Sequence, residues 1–314
     1  MARHPLTAFA AAAVLAVAAG GAVAADPGRV DVVATVYPLA EWAQRVGGDA
    51  VAVTNLIPAG SDPHDFEPTP ADLRRLREAD VVLTLGLGFQ PAIDRALRTA
   101  PPGQVRLVAT EGLPLPGAAE GDDDHASGGR HDHGDDLPGD PHVWLDPVLA
   151  KSIVGRIADA LGAADPTGAA AYAANARAYQ EKLDDLHARY ARTLASCAHR
   201  DLVTSHAAFG YLAARYGLHQ MPIQGLSPEA EPTPRRLAEL AAFVRRRGIR
   251  YVFTETVVDP RVAETLARES GADTLVLHTI ETLSQAEIAR GKTYLGVMEE
   301  NLRALATGLG CRTP

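Results

Sequence analysis

Residues 166–197 read PTGAAAYAANARAYQEKLDDLHARYARTLASC, and this stretch decides how the rest of the chain is organised. Its larger apolar side chains recur at steps of three or four residues or their sums, which is the period of one face of an α-helix. These side chains are Tyr172, Tyr179, Leu183, Leu186, Tyr190 and Leu194. We therefore predict one long helix in the middle of a chain whose 314 residues suggest about two domains.

Short apolar runs rich in β-branched residues lie on both sides of this helix, with helical stretches between them. Alternation of strands and helices predicts the α/β class. We expect an N-terminal lobe over residues 26–164, a linking helix over 165–197 and a C-terminal lobe over 198–314. The predicted strands are residues 30–36, 51–57, 81–85 and 105–109 before the helix, and 202–205, 219–223, 251–254 and 274–277 after it.

One short motif occurs in both halves of the chain. Glu67-Pro68-Thr69-Pro70 and Glu231-Pro232-Thr233-Pro234 each place a threonine as helix cap and a proline in the first turn. Two common helix starts can coincide, but here each predicted helix also leads to a strand, which favours a duplicated lobe. Two Rossmann-like lobes joined by one long rigid helix would bind a ligand in the cleft, beyond the carboxyl ends of the strands.

The N-terminus has the features of an export signal. Arg3 and His4 form a short polar region, residues 6–23 are apolar, and Ala22-Val23-Ala24 is a small-x-small cleavage pattern. A transmembrane anchor is the alternative, but the apolar run is marginal in length. We expect a signal peptide over residues 1–25 and a soluble protein of a Gram-negative periplasm. No cysteine follows the apolar run as an attachment point for lipid.

Composition excludes several classes of protein. A formal net charge of −9 and an aromatic content of 5% argue against nucleic-acid binding. Cys197 and Cys311 are the only cysteines, which excludes a thiolate zinc cluster and an iron–sulfur centre. In an oxidising compartment we expect these two to form a disulfide bond, the alternative being two unrelated buried thiols.

Residues 117–140 differ from the rest of the chain. Eight acidic residues, one arginine and three histidines (His125, His131 and His133) give this segment a charge of −7. It has too few apolar side chains to offset the entropy of ordering, so we predict a disordered surface loop. Its histidines and acids are consistent either with weak collection of metal ions or with simple solvation.

Three other histidines lie at junctions between predicted elements. His64 is in a turn between a strand and a helix, His142 precedes a helix, and His206 follows the strand at 202–205. Imidazole is the commonest metal ligand, and a helix N-terminus disfavours its charged form. One such histidine would more often be structural, but three at equivalent junctions favour a metal site.

The segments around these histidines resemble a known family. PHDFEP at 63–68, DPHVWLDP at 140–147 and SHAAFGY at 205–211 are similar to the signature segments of the metal-binding proteins of bacterial ABC importers. The similarity is greatest to the periplasmic zinc-binding branch, and it extends over nearly all of the mature chain. It implies two α/β lobes bridged by one long helix, with a metal ion held between them.

The resemblance also implies the ligands. His64, His142 and His206 would bind the metal, and manganese-binding relatives usually have glutamate in place of His206. A third imidazole favours Zn²⁺. For the fourth ligand, residues 277–281 (LHTIE) lack the aspartate of many relatives, which leaves Glu281, His278 or water. We expect Glu281, because a carboxylate halves the charge of the ion and some zinc-binding relatives have glutamate there.

The implied function is capture of Zn²⁺ and its delivery to the membrane permease of an ABC importer. The resemblance further implies a monomer, with a periplasmic zinc chaperone as a further candidate partner. The alternatives are a manganese-binding member of the family, a zinc-dependent hydrolase with an open metal position, and a surface adhesin. The sequence contains no H-E-x-x-H, G-x-S-x-G or P-loop motif, so we expect no enzymatic activity.

Overall fold

A computed structural model describes residues 28–115, 139–228 and 230–312. The predicted signal peptide at 1–25 and residues 117–138 of the predicted acidic loop lie outside these ranges. None of the helices in the described ranges combines the length and the apolarity needed to cross a bilayer.

The N-terminal lobe is built on a parallel sheet of four strands in the order β2-β1-β3-β4. Val32 of β1 lies opposite Val53 of β2 and Val81 of β3, so the sheet interior is made of β-branched side chains. All four strands were predicted, each with an end one or two residues too late. They are β1 (Val30–Ala34), β2 (Val51–Asn55), β3 (Val81–Thr84) and β4 (Val105–Val108), and the helices are α1 (Tyr37–Gly47), α2 (Pro70–Glu78), α3 (Pro91–Leu97) and α4 (Pro147–Ala164).

The C-terminal lobe repeats this topology. Its four parallel strands have the order β6-β5-β7-β8. The second, first, third and fourth strands of each lobe therefore lie side by side in the same sequence in both sheets. The prediction of a duplicated lobe is therefore confirmed. The strands are β5 (Asp201–Thr204), β6 (His219–Pro222), β7 (Tyr251–Thr254) and β8 (Asp273–Val276), and the helices are α6 (Gly210–Tyr216), α7 (Pro234–Arg247), α8 (Arg261–Ser270), α9 (Gln285–Ala289) and α10 (Tyr294–Gly308).

The long helix α5 (Ala169–Ala195) has 27 residues and is about 40 Å long. All six apolar side chains of its predicted face are buried. It begins three residues later than the sequence prediction, because Asp165 accepts hydrogen bonds from the Thr167 backbone and hydroxyl and makes a turn there. Tyr190 donates to the carbonyl oxygen of Met298 at 2.6 Å, which fixes α5 to α10.

The repeated Thr-Pro motif starts a helix in each lobe. The Thr69 hydroxyl accepts from the backbone of Asp72 at the start of α2, and the Thr233 hydroxyl accepts from the backbone of Arg236 at the start of α7. Each cap satisfies one of the free N–H groups of a helix N-terminus and is worth about 1 kcal/mol. The equivalence of the two starts places the segments before α2 and α7 at equivalent positions in the two lobes.

The two lobes share one hydrophobic core. It extends from the first sheet through α1, α4 and α5 to α10 of the C-terminal lobe, while each lobe also has a smaller cluster of its own. Trp42 of α1 packs edge-on against Tyr294 of α10, with ring centroids 5.0 Å apart. Glu41 accepts a hydrogen bond from the Tyr294 backbone at 2.6 Å, so a carboxylate of one lobe caps a helix of the other.

Cys197 and Cys311 are joined by a disulfide bond in this structure. Cys197 follows α5 and Cys311 follows α10, and the bond closes a loop with a sequence separation of 114 residues. It therefore ties the end of the C-terminal lobe to the end of the linking helix.

Replacing both cysteines, Cys197→Ser with Cys311→Ser, should lower the free energy of unfolding by at most about 4–5 kcal/mol, because the unfolded chain loses its cross-link. Denaturant unfolding of the oxidised wild type and of the double variant checks this, with the reduced wild type as control. Equal stability of all three samples, or two reactive thiols in denatured, unreduced protein, would contradict the prediction.

Candidate metal centre

Four of the predicted site residues meet between the lobes. His64, His142, His206 and Glu281 each offer one ligand atom, and these atoms lie within 4.8 Å of one another. The Oε1 atom of Glu281 is 3.5 Å from His64 Nε2, 3.2 Å from His142 Nε2 and 3.5 Å from His206 Nε2. The structure thus brings together the complete set of residues that the sequence predicted as metal ligands.

The spacing of these atoms is suited to a tetrahedral metal ion. An ion about 2.0–2.1 Å from nitrogen and oxygen ligands places the ligand atoms about 3.3–3.4 Å apart. The Nε2 atoms of His142 and His206 are 3.3 Å apart, and the separations from Glu281 differ little from this value. All four side chains are at most 3% exposed, so the cluster is closed to bulk water.

Two atoms of the cluster also lack a partner of their own. His64 Nε2 and Glu281 Oε1 are buried without a hydrogen bond, since the 3.5 Å between them is too long for one. Orphaned buried polar atoms are costly unless something compensates them. A cation bound between them would satisfy both, so these residues fit a metal ion.

The ligand segments come from the carboxyl ends of both sheets. His64 lies between β2 and α2, where its backbone N–H donates to Asp62 at 2.8 Å, and His206 directly follows β5. His142 precedes a short 3₁₀ turn (Val143–Leu145) that leads into α4. Glu281 lies on the segment after β8. This is the position that the doubly wound fold assigns to ligands.

Two further carboxylates orient the imidazoles. Asp140 Oδ1 is 2.7 Å from His142 Nδ1, and Glu255 Oε2 is 2.7 Å from His206 Nδ1. Glu255 also accepts from the His206 backbone at 3.0 Å. These contacts place the proton on Nδ1 and leave Nε2 of both rings free to bind a metal.

The sequence analysis missed both orienting roles. Glu255 directly follows β7, at the same edge of the sheet as His206, and this position was the available signal. Asp140 was assigned to the acidic loop, but it contacts His142 and its carbonyl oxygen accepts from the Tyr211 hydroxyl at 2.9 Å. The prediction that the loop extends over 117–140 is therefore wrong at its end, because residue 140 belongs to the site.

The carboxylates also control the protonation of the histidines. Burial lowers the pKa of His206, but Glu255 and Glu281 outweigh burial and raise that pKa to about 10. Burial likewise lowers the pKa of His142, and Asp140 and Glu281 reverse the direction and raise it. The expectation that helix N-termini keep these rings neutral is wrong, since direct contact with carboxylates exceeds the effect of a short helix.

Glu281 shows the opposite shift. Burial raises the pKa of this carboxyl, but the close imidazoles of His142, His206 and His64 outweigh burial and hold that pKa well below its usual range. The carboxylate is therefore ionised wherever the protein is folded at ordinary pH. A permanent negative charge at the centre of three imidazoles attracts a cation.

His278, the rival fourth ligand, is not part of the cluster. Its Nδ1 accepts from the Ile280 backbone at 2.8 Å, and its Nε2 faces Thr256 at 3.3 Å and Glu287 at 3.5 Å. Burial lowers its pKa. Of the two side chains that the sequence left open, the structure places Glu281 against the three imidazoles.

Comparison with known proteins supplies the family. A family model described as ZnuA, zinc-uptake complex component A, periplasmic, matches residues 32–308. The chain belongs to the ZnuA family. The family model covers both lobes, the linking helix and all four residues of the cluster.

Members of the ZnuA family with similar sequences are named for zinc. The zinc-binding lipoprotein AdcA of Streptococcus pneumoniae R6 is 39% identical over 282 residues, which are 88% of this chain and 55% of AdcA. The high-affinity zinc uptake system protein ZnuA of Bacillus subtilis is 36% identical over 282 residues, which are 90% of this chain and 88% of that protein. This chain thus spans about half the length of the AdcA relatives.

A solved structure of the ZnuA-like type has the same fold. The crystal structure of the Zn(II)-bound ZnuA-like domain of Streptococcus pneumoniae AdcA superimposes with a TM-score of 0.75 at 36% identity. The match covers 90% of this chain and 99% of that domain. The two-lobe α/β fold is therefore that of a ZnuA-like solute-binding protein.

The raised pKa of His206 predicts a pH dependence of stability in chelator-treated protein. A histidine that holds its proton more tightly when folded stabilises the fold fully below about pH 6.5, and that contribution is lost as pH rises towards about 10. Denaturant unfolding across this pH range should show that the free energy of unfolding of the wild type falls as pH rises.

Glu255→Gln, which keeps the size and removes the charge, should make this decline smaller by about 1 kcal/mol or more. His187→Gln is the control, because His187 lies on α5 with Tyr216 as its ring partner. Curves for wild type and Glu255→Gln that run parallel would contradict the prediction.

Proposed function

We propose that this protein binds Zn²⁺ tightly outside the cytoplasm and delivers it to the permease of an ABC importer. The observation that carries the proposal is the closed cluster of three imidazoles around one carboxylate, in which Glu281 Oε1 lies 3.2 to 3.5 Å from the Nε2 atom of each histidine. Membership of the ZnuA family supports it, as do relatives named for zinc binding and zinc uptake. In this function Zn²⁺ is the cargo of the protein.

The donor set favours zinc over manganese. Imidazole is a ligand that suits Zn²⁺, whereas Mn²⁺ prefers carboxylate, carbonyl and water oxygens in a site with more ligands. Glu281 compensates half of the ionic charge directly, and Asp140 and Glu255 contribute negative charge through His142 and His206. The manganese-binding alternative has less support, because three of the four ligand atoms are nitrogens.

The site is arranged for holding an ion and not for hydrolysis. A zinc hydrolase keeps one coordination position open for water or substrate. Here four protein atoms are available to fill all four positions of a tetrahedral ion, and all four side chains are buried. We therefore propose a binding protein with no enzymatic activity.

The proposed compartment and partners come from the sequence. Export to the periplasm rests on the signal-peptide pattern of residues 1–25, and we propose lobes at 26–164 and 198–314 with a linking segment at 165–197. In that compartment Cys197 and Cys311 would stay paired. Delivery to a permease, a monomeric state and supply by a zinc chaperone are proposals that rest on the family resemblance.

Loss of His206 should weaken zinc binding by at least about a hundredfold, because the ion loses one of four ligands and Glu255 loses its partner. Competition titration with a chromophoric chelator measures the affinity, with Mn²⁺ titrated in parallel and expected to bind far more weakly. The matched control is His187→Ala, which removes an imidazole remote from the cluster. Tight zinc binding by His206→Ala would contradict the proposed C-lobe ligand.

Two deletions test the limit between the acidic segment and the site. Removing residues 117–138 should leave the affinity of the primary site unchanged and abolish only weak additional zinc binding. Removing residues 117–140 should lower primary affinity by about ten- to a hundredfold, because Asp140 no longer orients His142. Calorimetric titration separates the two classes of binding.

The point variant Asp140→Asn serves as the control for the longer deletion, and its loss of affinity should have the same direction. A large loss of affinity in the shorter deletion would show that residues 117–138 contribute a ligand. Equal affinities for the two deletions would remove the role assigned to Asp140.

A further inference from the structure

The residue before Glu281 has an unfavourable backbone conformation. Ile280 has a φ of +60°, and only Leu87 shares a positive φ among the non-glycine residues that the structure describes. A β-branched residue in the left-handed region is strained, and such strain persists only where the surroundings impose it. The Ile280 side chain is also fully buried. The contacts that impose this conformation therefore determine where the Glu281 carboxylate lies.

Asn301 of α10 holds the start of this turn at two points. Its Oδ1 accepts from the His278 backbone N–H at 2.8 Å, and its Nδ2 donates to the His278 carbonyl oxygen at 2.7 Å. Asn301 is 2% exposed, so both bonds are shielded from water. The backbone N–H of Leu277 donates to the carbonyl oxygen of Thr254 on β7. The Asn301 amide therefore holds the next residue, directly after the last backbone hydrogen bond to the sheet.

The His278 ring makes a hydrogen bond inside the turn itself. Its Nδ1 accepts from the N–H of Ile280, two residues further along the chain, at 2.8 Å. Asparagine and aspartate side chains make the same contact in Asx turns, where they stabilise unusual backbone conformations. In this chain the imidazole nitrogen takes the place of the Asx oxygen.

Groups of the N-terminal lobe hold two further carbonyl oxygens of the turn. Trp144 Nε1 donates to the Thr279 oxygen at 2.7 Å, and the Tyr37 backbone N–H donates to the Glu281 oxygen at 3.2 Å. Neither contact fixes the N–H of Ile280, which is the group whose direction changes when φ changes. That function belongs to His278.

We propose that His278 and Asn301 are positioning residues that hold the strained turn at 278–281 and thereby aim the Glu281 carboxylate at the three imidazoles. The proposal rests on the proposed function, in which Glu281 binds Zn²⁺. His278 acts as a hydrogen-bond acceptor and does not bind the ion. Its effect on zinc therefore depends on an acceptor at the Nδ1 position and not on imidazole as such.

A pair of variants at His278 tests this directly. His278→Ala removes the acceptor and should weaken zinc binding by about tenfold or more. His278→Asn places an oxygen where Nδ1 was and should bind zinc almost as tightly as the wild type. Both variants lose the contacts of Nε2 to Thr256 and Glu287 equally, so they are matched in that respect.

Competition titration with a chelator gives the affinities, and unfolding curves confirm that both proteins are folded at the assay temperature. Equal losses of affinity in His278→Ala and His278→Asn overturn the proposal, as does wild-type affinity in both. Loss in the first with recovery in the second supports it.

A second comparison uses α10. Asn301→Ala should weaken zinc binding and change the visible absorption of the Co²⁺-substituted protein, because the carboxylate leaves its place in the tetrahedron. Tyr190→Phe is the matched control, since it removes another buried bond to α10, at Met298, away from the turn. Wild-type affinity and an unchanged Co²⁺ spectrum in Asn301→Ala would overturn the role of Asn301.

Glu281→Gln separates this proposal from the one on which it rests. Wild-type zinc affinity in Glu281→Gln would show that Glu281 is not a ligand and would overturn the role of the turn, whereas failure of the wild-type protein to bind zinc tightly would overturn the proposed function itself. If Glu281→Gln binds zinc more weakly while His278→Ala and Asn301→Ala bind it like the wild type, the proposed zinc-binding function stands. That result would overturn only the role of the turn.

Discussion

The buried carboxylate of Glu281 is the charge around which both lobes are arranged. An ionised carboxylate removed from water is tolerated only when paired, and three imidazoles supplied by both halves of the chain surround it. Because the partners come from different lobes, the charge binds the lobes to one another. Protons on the imidazoles can compensate the carboxylate in the metal-free protein, and a divalent cation can do so in the loaded one.

In the proposed function, protons and Zn²⁺ therefore compete for the same imidazole nitrogens. Asp140 and Glu255 hold Nδ1 of His142 and His206, which leaves Nε2 as the atom that carries either a proton or the metal. The same carboxylates raise the pKa of both rings, so in the proposed function binding of Zn²⁺ at neutral pH displaces protons from the imidazoles. On that proposal, acidification favours the protonated, metal-free cluster, and Asp140 and Glu255, which orient two of the imidazoles, also set the pH range in which zinc is held.

The two repeated sheets fix the positions of the side chains in this cluster. Two parallel sheets of identical strand order direct their carboxyl ends to the cleft, and α5 together with the Glu41–Tyr294 contact fixes one lobe on the other. Ligands carried on short segments after strands inherit the rigidity of the sheets. Glu281 is the exception, because its segment has a strained residue and depends on the Asn301 side chain of α10, the Trp144 side chain and the Tyr37 backbone N–H at the start of α1.

The helices and strands and the four candidate ligands are predictable from the sequence. Apolar periodicity located α5, short apolar runs rich in β-branched residues located all eight strands, and the repeated Thr-Pro starts indicated the duplication, because these signals are local properties of the chain. Resemblance and ligand chemistry named His64, His142, His206 and Glu281. The protonation of the imidazoles and the orientation of the site side chains depend on contacts that form only in the folded protein. Glu255 lies 49 residues from His206, and Asn301 lies 23 residues from His278. Contacts between residues so far apart leave no periodic trace in sequence, and they reversed the expected pKa shifts of His142 and His206 and gave His278 a position outside the cluster.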